Sequence, residues 1–238
     1  MSSVLFQKSY KINDDISIVI PTVKDVLENE DAYYELVTMF TAMPFDLMVM
    51  LDDAGIDFTS INEYELFLII FKELQKRDLS MIFTDLDLSE CEMAVNPSTR
   101  EVVIADRRND SIIIDRLIHA QIADALRKIH NLKKNLKRPA NEDARLYELE
   151  KARKRLKRQL RTKQGSQLEP LIIGMVNTEQ FKYDFDTVQN LTIYQFNESV
   201  KQIVKKVNYD NRMFGVYSGT IDAKGLSQDD LNWLTNSN

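Results

Sequence analysis

SIIIDRLIHAQIADALRKIHNLKKNLKRPANEDARLYELEKARKRLKRQLRTK, residues 111–163, carries two apolar series separated by one proline. Ile118, Ile122, Ala125, Ile129, Leu132 and Leu136 recur in steps of 4, 3, 4, 3 and 4. Beyond Lys137-Arg138-Pro139-Ala140-Asn141, the series Leu146, Leu149, Arg153, Leu156 and Leu160 recurs in steps of 3, 4, 3 and 4. Such steps place each series on one helix face as a heptad seam. Two seams of similar length around a breaker predict a protruding antiparallel helical hairpin, about 30 Å long at 1.5 Å rise per residue, with its tip near Pro139 and Arg153 facing Ile129. An Arg in a seam costs stability unless its head reaches outward, so Arg153 is expected to set the register or contact a partner. A compact bundle with Arg153 at its edge satisfies the same pattern.

On the N-terminal side, residues 1–110 read as an α+β body. Val4 to Ile12 and Ile16 to Ile20 flank the turn Asn13-Asp14-Asp15, and CEMAVNPSTREVVIADR (91–107) has two β-forming runs around Asn96-Pro97-Ser98, so two small β-hairpins are expected. Thr22 is placed to cap a helix through Lys24 to Asn29, and Ser60 with Glu63 to form a capping box ahead of Tyr64 to Leu74. The segment between reads as two helices broken near Pro44 and closed at Gly55. Residues 165–238 are expected to return to the body. The apolar run Leu168 to Val176 is followed by a helix capped by Thr192 with Ile193, Phe196, Val200, Ile203, Val204 and Val207 on one face, then a short helix after Ser227-Gln228-Asp229-Asp230. The expected class is mainly α with two small β-hairpins, in three segments: 1–110, 111–164 and 165–238.

Composition narrows the function. Six Gly and five Pro in 238 residues leave no closely spaced glycines from which a phosphate-cradling loop could be written. One cysteine, Cys91, rules out an intramolecular disulfide and points to a reducing compartment. No basic, then apolar, N-terminal pattern marks a signal peptide, and the longest apolar block, Leu66 to Phe71, is far below the ~20 residues of a membrane span. A soluble chain made in the cytoplasm is expected. Net charge is −6, yet residues 133–163 hold 13 Lys or Arg against 4 acids, +9, leaving −15 on the rest.

Candidate chemistry is sparse. His119 and His130 are the only histidines, and Asp115, four residues before His119, predicts a hydrogen-bonded pair on a helix face rather than a metal site. FTDLDLSECE (83–92) fits a half-buried strand or turn better than a metal-assisted centre. No nucleophile elbow accompanies any Ser or Cys, so no catalytic residue, cofactor or metal is expected. Met39, Met43, Met48 and Met50, with Phe40, Phe45, Leu47 and Leu51, form a cluster that is core filling if enclosed. Partly exposed, it is a docking groove for an apolar helix, with Met39, Met43, Phe45 and Met48 as contacts. The basic arm, Lys134, Lys137, Arg138, Arg153, Lys154, Arg155, Lys157, Arg158 and Arg161, is either a solvated face or a field for an acidic protein or phosphate backbone. Tyr147 is the only aromatic there, so nucleic-acid binding through 133–163 would be sequence-independent.

LTIYQFNESVKQIVKKVNYDNRMFGVYSGTIDAKGLSQDDLNWL, residues 191–234, resembles proteins from tail-gene modules of tailed bacteriophages and prophages of Gram-positive hosts, and YYELVTMFTAMPFDLMVMLDDAGIDFTSINEYELF, residues 33–67, adds a weaker likeness. The resemblance implies a viral assembly or virion protein similar to tail assembly chaperones, with other tail proteins such as the tape measure or tube as partners. It implies synthesis in the host cytoplasm, with the virion as a second location. The expected function is therefore non-enzymatic protein binding, and the alternative is a nucleic-acid-binding accessory protein using the basic arm.

Overall fold

The computed structural model describes residues 4–109, 111–161, 165–227 and 230–234. Strands β1 (Ser9–Lys11) and β2 (Ser17–Val19) pair antiparallel, with the Asn13 side chain accepting from the Asp15 and Ile16 amides to close the turn. Helix α1 (Val23–Glu28) starts at Thr22 in a reciprocal box with Asp25, and α2 (Glu30–Thr41) and α3 (Met48–Asp53) flank Pro44 as expected. Gly55 then takes φ +73°, the left-handed conformation that glycine adopts at no steric cost. Helix α4 (Glu63–Leu74) is capped by Asn62 and Glu65, not by Ser60 and Glu63. The Ser60 hydroxyl and amide are both spent on the Asp57 carbonyl in the preceding turn, so two residues later is the first free capping position.

The second hairpin, β3 (Cys91–Val95) and β4 (Val102–Asp106), gains a short third strand, β5 (Ile113–Ile114), in the order β3-β4-β5. After it come α5 (Arg116–His130), α6 (Glu142–Gln159), α7 (Leu168–Val176), α8 (Phe185–Val188) and α9 (Ile193–Tyr217). The class is mainly α with two small antiparallel sheets.

The two seams of residues 111–163 do not pair with each other. Helix α5 is the centre of the body, packed against α2, α4, α9, β2 and β5. Ile122, Leu126 and Ile129 are each 0% exposed, a burial worth about 1.5–3 kcal/mol per side chain. The buried arc also takes in Ala123, Arg127 and His130, wider than a coiled-coil stripe, and one face of α5 could not satisfy it with a single partner helix. Asn131 closes α5 in the left-handed conformation, φ 53°, so Leu132 and Leu136 lie outside the helix in an extended, exposed segment. Helix α6 packs on α3 instead. Leu149 is its one buried residue among those described, and Arg153 faces Asp52 at 2.8 Å and Asp53 at 2.5 Å rather than Ile129. The Arg in the seam is thus explained by acids on the opposing helix.

Helix α9 enters the body at Ile193 and Phe196, held where the Val23 amide donates to Leu191 and the Ile193 amide donates to Pro21. Further along, the chain from Ser218 folds back on α9: Arg212 pairs with Asp230 at 2.5 Å, Gln202 donates to the Trp233 carbonyl, and Gly215 leaves room for Ile221. Ser227 and Asp230 exchange the reciprocal bonds of a capping box, but residues 230–234 form turns, not the short helix expected. Residues 228–229 and 235–238 of that segment lie outside the described residues. One apolar cluster, with buried members from Val4 to Phe196, forms the core of the body.

Candidate functional site

Four distant segments meet at a cleft of about 380 Å³. One wall is Met43, Pro44 and Phe45, between α2 and α3, with Phe58 and Ile61 behind them; the start of α4 contributes Asn62, Glu63 and Tyr64. Arg116, His119 and Ala120 come from the first turns of α5, and the extended segment after α5 supplies Lys134, Leu136, Lys137, Arg138 and Pro139.

A buried ionic network fixes these pieces. The Glu63 carboxylate receives both Arg127 and Lys134, and Arg127, 6% exposed, also donates to the Thr41 carbonyl at 2.6 Å and to Asp124 at 2.9 Å. Arg127 therefore satisfies the last turn of α2 while tying α5 to α4, and Lys134 pulls the extended segment over the same carboxylate. Burial alone would raise the Glu63 carboxyl, but the hydrogen bonds from Lys134 and Arg127 outweigh it and hold the group below its usual range. Tyr64 anchors the other side, its hydroxyl 2.8 Å from the Ile114 carbonyl and 3.0 Å from that of Val102, and burial pushes it up to about 12.

His119 stacks on Phe67 with centroids 4.4 Å apart, and its Nε2 has no hydrogen-bond partner. Burial pushes its pKa down to about 4, so the ring is neutral at pH 7. The expected pair with Asp115 is not made. Asp115 is the N-cap of α5 and turns its carboxylate to the Ile118 amide at 2.8 Å, away from the ring one turn on. His130 places Nε2 2.9 Å from the Tyr33 hydroxyl, leaves Nδ1 unpartnered, and is also pushed down to about 4 by burial. Cys91 is buried and its thiol pushed up to about 12, so it carries no nucleophilic thiolate at neutral pH. Among the described residues no three His, Cys, Asp or Glu converge as a metal-ligand set, and no helix is long and apolar enough to cross a membrane.

The residues singled out from sequence are divided by the fold. Met43 and Phe45 share the cleft with Lys134, Lys137 and Arg138, whereas Met39 faces a second groove and Met48, 5% exposed, belongs to the core and cannot be a docking contact. Arg153 is committed to Asp52 and Asp53, and Lys154 to Glu150 at 2.5 Å. Arg155, Lys157, Arg158 and Arg161 line the exposed end of α6. Arg116, Glu63 and Arg127 were not legible as site residues. Glu63 and Arg127 lie 64 positions apart, and no local pattern links them.

Residues 160–238 match the family model of the YomV second domain. The match spans α7, α8, α9 and the folded-back tail, encloses residues 191–234, and makes the C-terminal third similar to a phage-derived, YomV-like protein. No curated protein and no solved structure matches the chain.

Proposed function

We propose that this chain is a non-enzymatic phage assembly or structural protein of the tail-assembly-chaperone type, made in the host cytoplasm, which binds a tail partner such as the tape measure or tube through the cleft between α4 and α5. The observation that carries this reading is the meeting of Met43 and Phe45 with Lys134, Lys137 and Arg138 in one cleft. An apolar floor under a basic rim suits an apolar segment flanked by acids. The YomV-like C-terminal third supports a phage context. The burial that keeps His119 and His130 neutral at pH 7, and that pushes the Cys91 thiol up to about 12, supports a binding role over a catalytic one.

Co-expression with the tape-measure and tube proteins of the same phage tests it. Phe45→Ser combined with Lys137→Glu and Arg138→Glu changes only partly exposed or exposed positions and should weaken the complex at least tenfold, a cost of about 1.4 kcal/mol or more. Undiminished binding by the folded variant sinks the reading. Met48 is left intact, because a polar group there would disturb the core.

A second reading rests on residues 151–161, KARKRLKRQLR, seven cations without an acid. Sequence-independent binding of a phosphate backbone along α6 predicts that neutralising Lys154, Arg155, Lys157 and Arg158 lowers affinity and flattens its salt dependence, since fewer counterions are released. A wild-type chain that shifts no DNA or RNA at 50 mM salt eliminates it.

A further inference from the structure

A second groove, about 500 Å³, opens between α2 and α3 on ground the cleft does not use. Its floor is Met39, Leu47, Met50 and Ile70, and Met50 is 41% exposed. Around that floor stand Glu30, Asp31, Glu35 and Glu73, and the lining contains no Lys or Arg. Glu35 and Glu73 do hold ion pairs, with Arg77 and Lys76, but both are exposed pairs of the weak kind, whereas Glu30 already accepts from the Ser166 hydroxyl and the Gln167 and Leu168 amides, so Asp31, Glu35 and Glu73 are the rim's carboxylates for a cation. Methionines under an acidic rim are chemistry for a basic amphipathic helix, because the flexible thioethers mould to leucines while the carboxylates meet Lys and Arg.

Such a helix is present in the same chain with its apolar seam unfinished. Helix α6 is anchored on α3 by Leu149 and by Arg153, and beyond those anchors the seam runs on to Leu156, 43% exposed, and Leu160, 80% exposed. Those two leucines stand four residues apart, on one face, among the seven cations of residues 151–161.

We infer that the C-terminal half of α6 from one copy of this protein seats in the Met39–Met50 groove of a second copy. Leu156 and Leu160 occupy the apolar floor, and Arg155 and Lys157 face the acidic rim. The charge distribution argues for self-association over a foreign partner: one segment carries +9 and the remainder −15, so each copy presents both halves of the contact. The surface is separate from the cleft, and its failure leaves the proposed function untouched.

Sedimentation equilibrium of the full chain from 1 to 100 μM, at 50 and 500 mM salt, tests the inference. Reversible association is expected at low salt and should weaken at least tenfold at high salt. Leu156→Ser with Leu160→Ser, both outside the core, should abolish it, as should Asp31→Lys with Glu73→Lys in the groove. Mixing that groove variant with Arg155→Glu/Lys157→Glu should restore association, which a merely misfolded variant would not do. A wild-type chain that stays monomeric at 100 μM and low salt overturns the inference and leaves the groove to a basic helix of another protein. Association that survives both double substitutions overturns it as well.

Discussion

Replacing Arg127 with alanine is expected to cost about 3–5 kcal/mol of folding stability, the range for breaking a buried ion pair while leaving its partner behind. Arg127 is 6% exposed and serves three acceptors at once: the Glu63 carboxylate, Asp124 and the Thr41 carbonyl. Its loss strands the Thr41 carbonyl inside the protein and leaves Glu63 to Lys134, which is itself 37% exposed and less shielded. Against a total stability of about 5–15 kcal/mol, that loss places the variant near the unfolding threshold at 37 °C. Urea unfolding measures it. Removing both charges, Arg127→Met with Glu63→Met, should recover part of the loss, since an apolar pair demands no desolvated charge, while the Thr41 carbonyl stays without its donor. A loss below about 1 kcal/mol for Arg127→Ala would show that the network is not a keystone of the α2, α4 and α5 packing.

The second large effect is expected on acidification. His119 and His130 have folded pKa values pushed down to about 4 by burial, against an ordinary value of 6.5. Between those limits the unfolded chain binds protons that the folded chain refuses. Stability is therefore full above pH 6.5 and falls as pH drops toward 4, by about 3 kcal/mol for each histidine. Urea midpoints at pH 7.5, 6, 5 and 4.5 should decline steadily, ahead of the loss of the carboxylate pairs at lower pH. His119→Phe keeps the stack on Phe67, removes the unpartnered Nε2 and should cut the decline by about half. A midpoint that does not move between pH 7.5 and 4.5 would contradict neutral burial of both rings.

Local chemistry made much of this fold legible. Thr22 with Asp25, Thr192 with Gln195, the Asn13 turn and the left-handed Gly55 are satisfied by atoms within four residues, and each could be read from the chain alone. The turn around Asn96-Pro97 likewise set the β3–β4 hairpin. Even the cap of α4 moved by only two residues, because Asp57 competed for Ser60. The third strand, β5, is two residues long and holds only by pairing with β4, so no period in the chain announced it.

Partners were another matter. The seam read from Ile118 to Leu136 held as far as Ile129, and of the seam from Leu146 to Leu160 only Leu149 is buried, because a period of 3.5 to 3.6 residues marks a face but neither its partner nor how far it is covered. Covering α5 took α2, α4, α9 and both sheets, while α6 went to α3, where Asp52 and Asp53 answer Arg153. Met43 and Phe45 came to stand beside Lys134, Lys137 and Arg138 for the same reason. Once buried Arg127 and the more exposed Lys134 both close on Glu63, segments some ninety residues apart share a wall. By itself the chain determined most of its helix caps, its turns and its charge asymmetry, because these depend on neighbours in sequence. Only the tertiary structure decided which helix is core and which is surface, and that the cleft exists, because desolvation and long-range charge pairing act between residues that sequence separation keeps out of view.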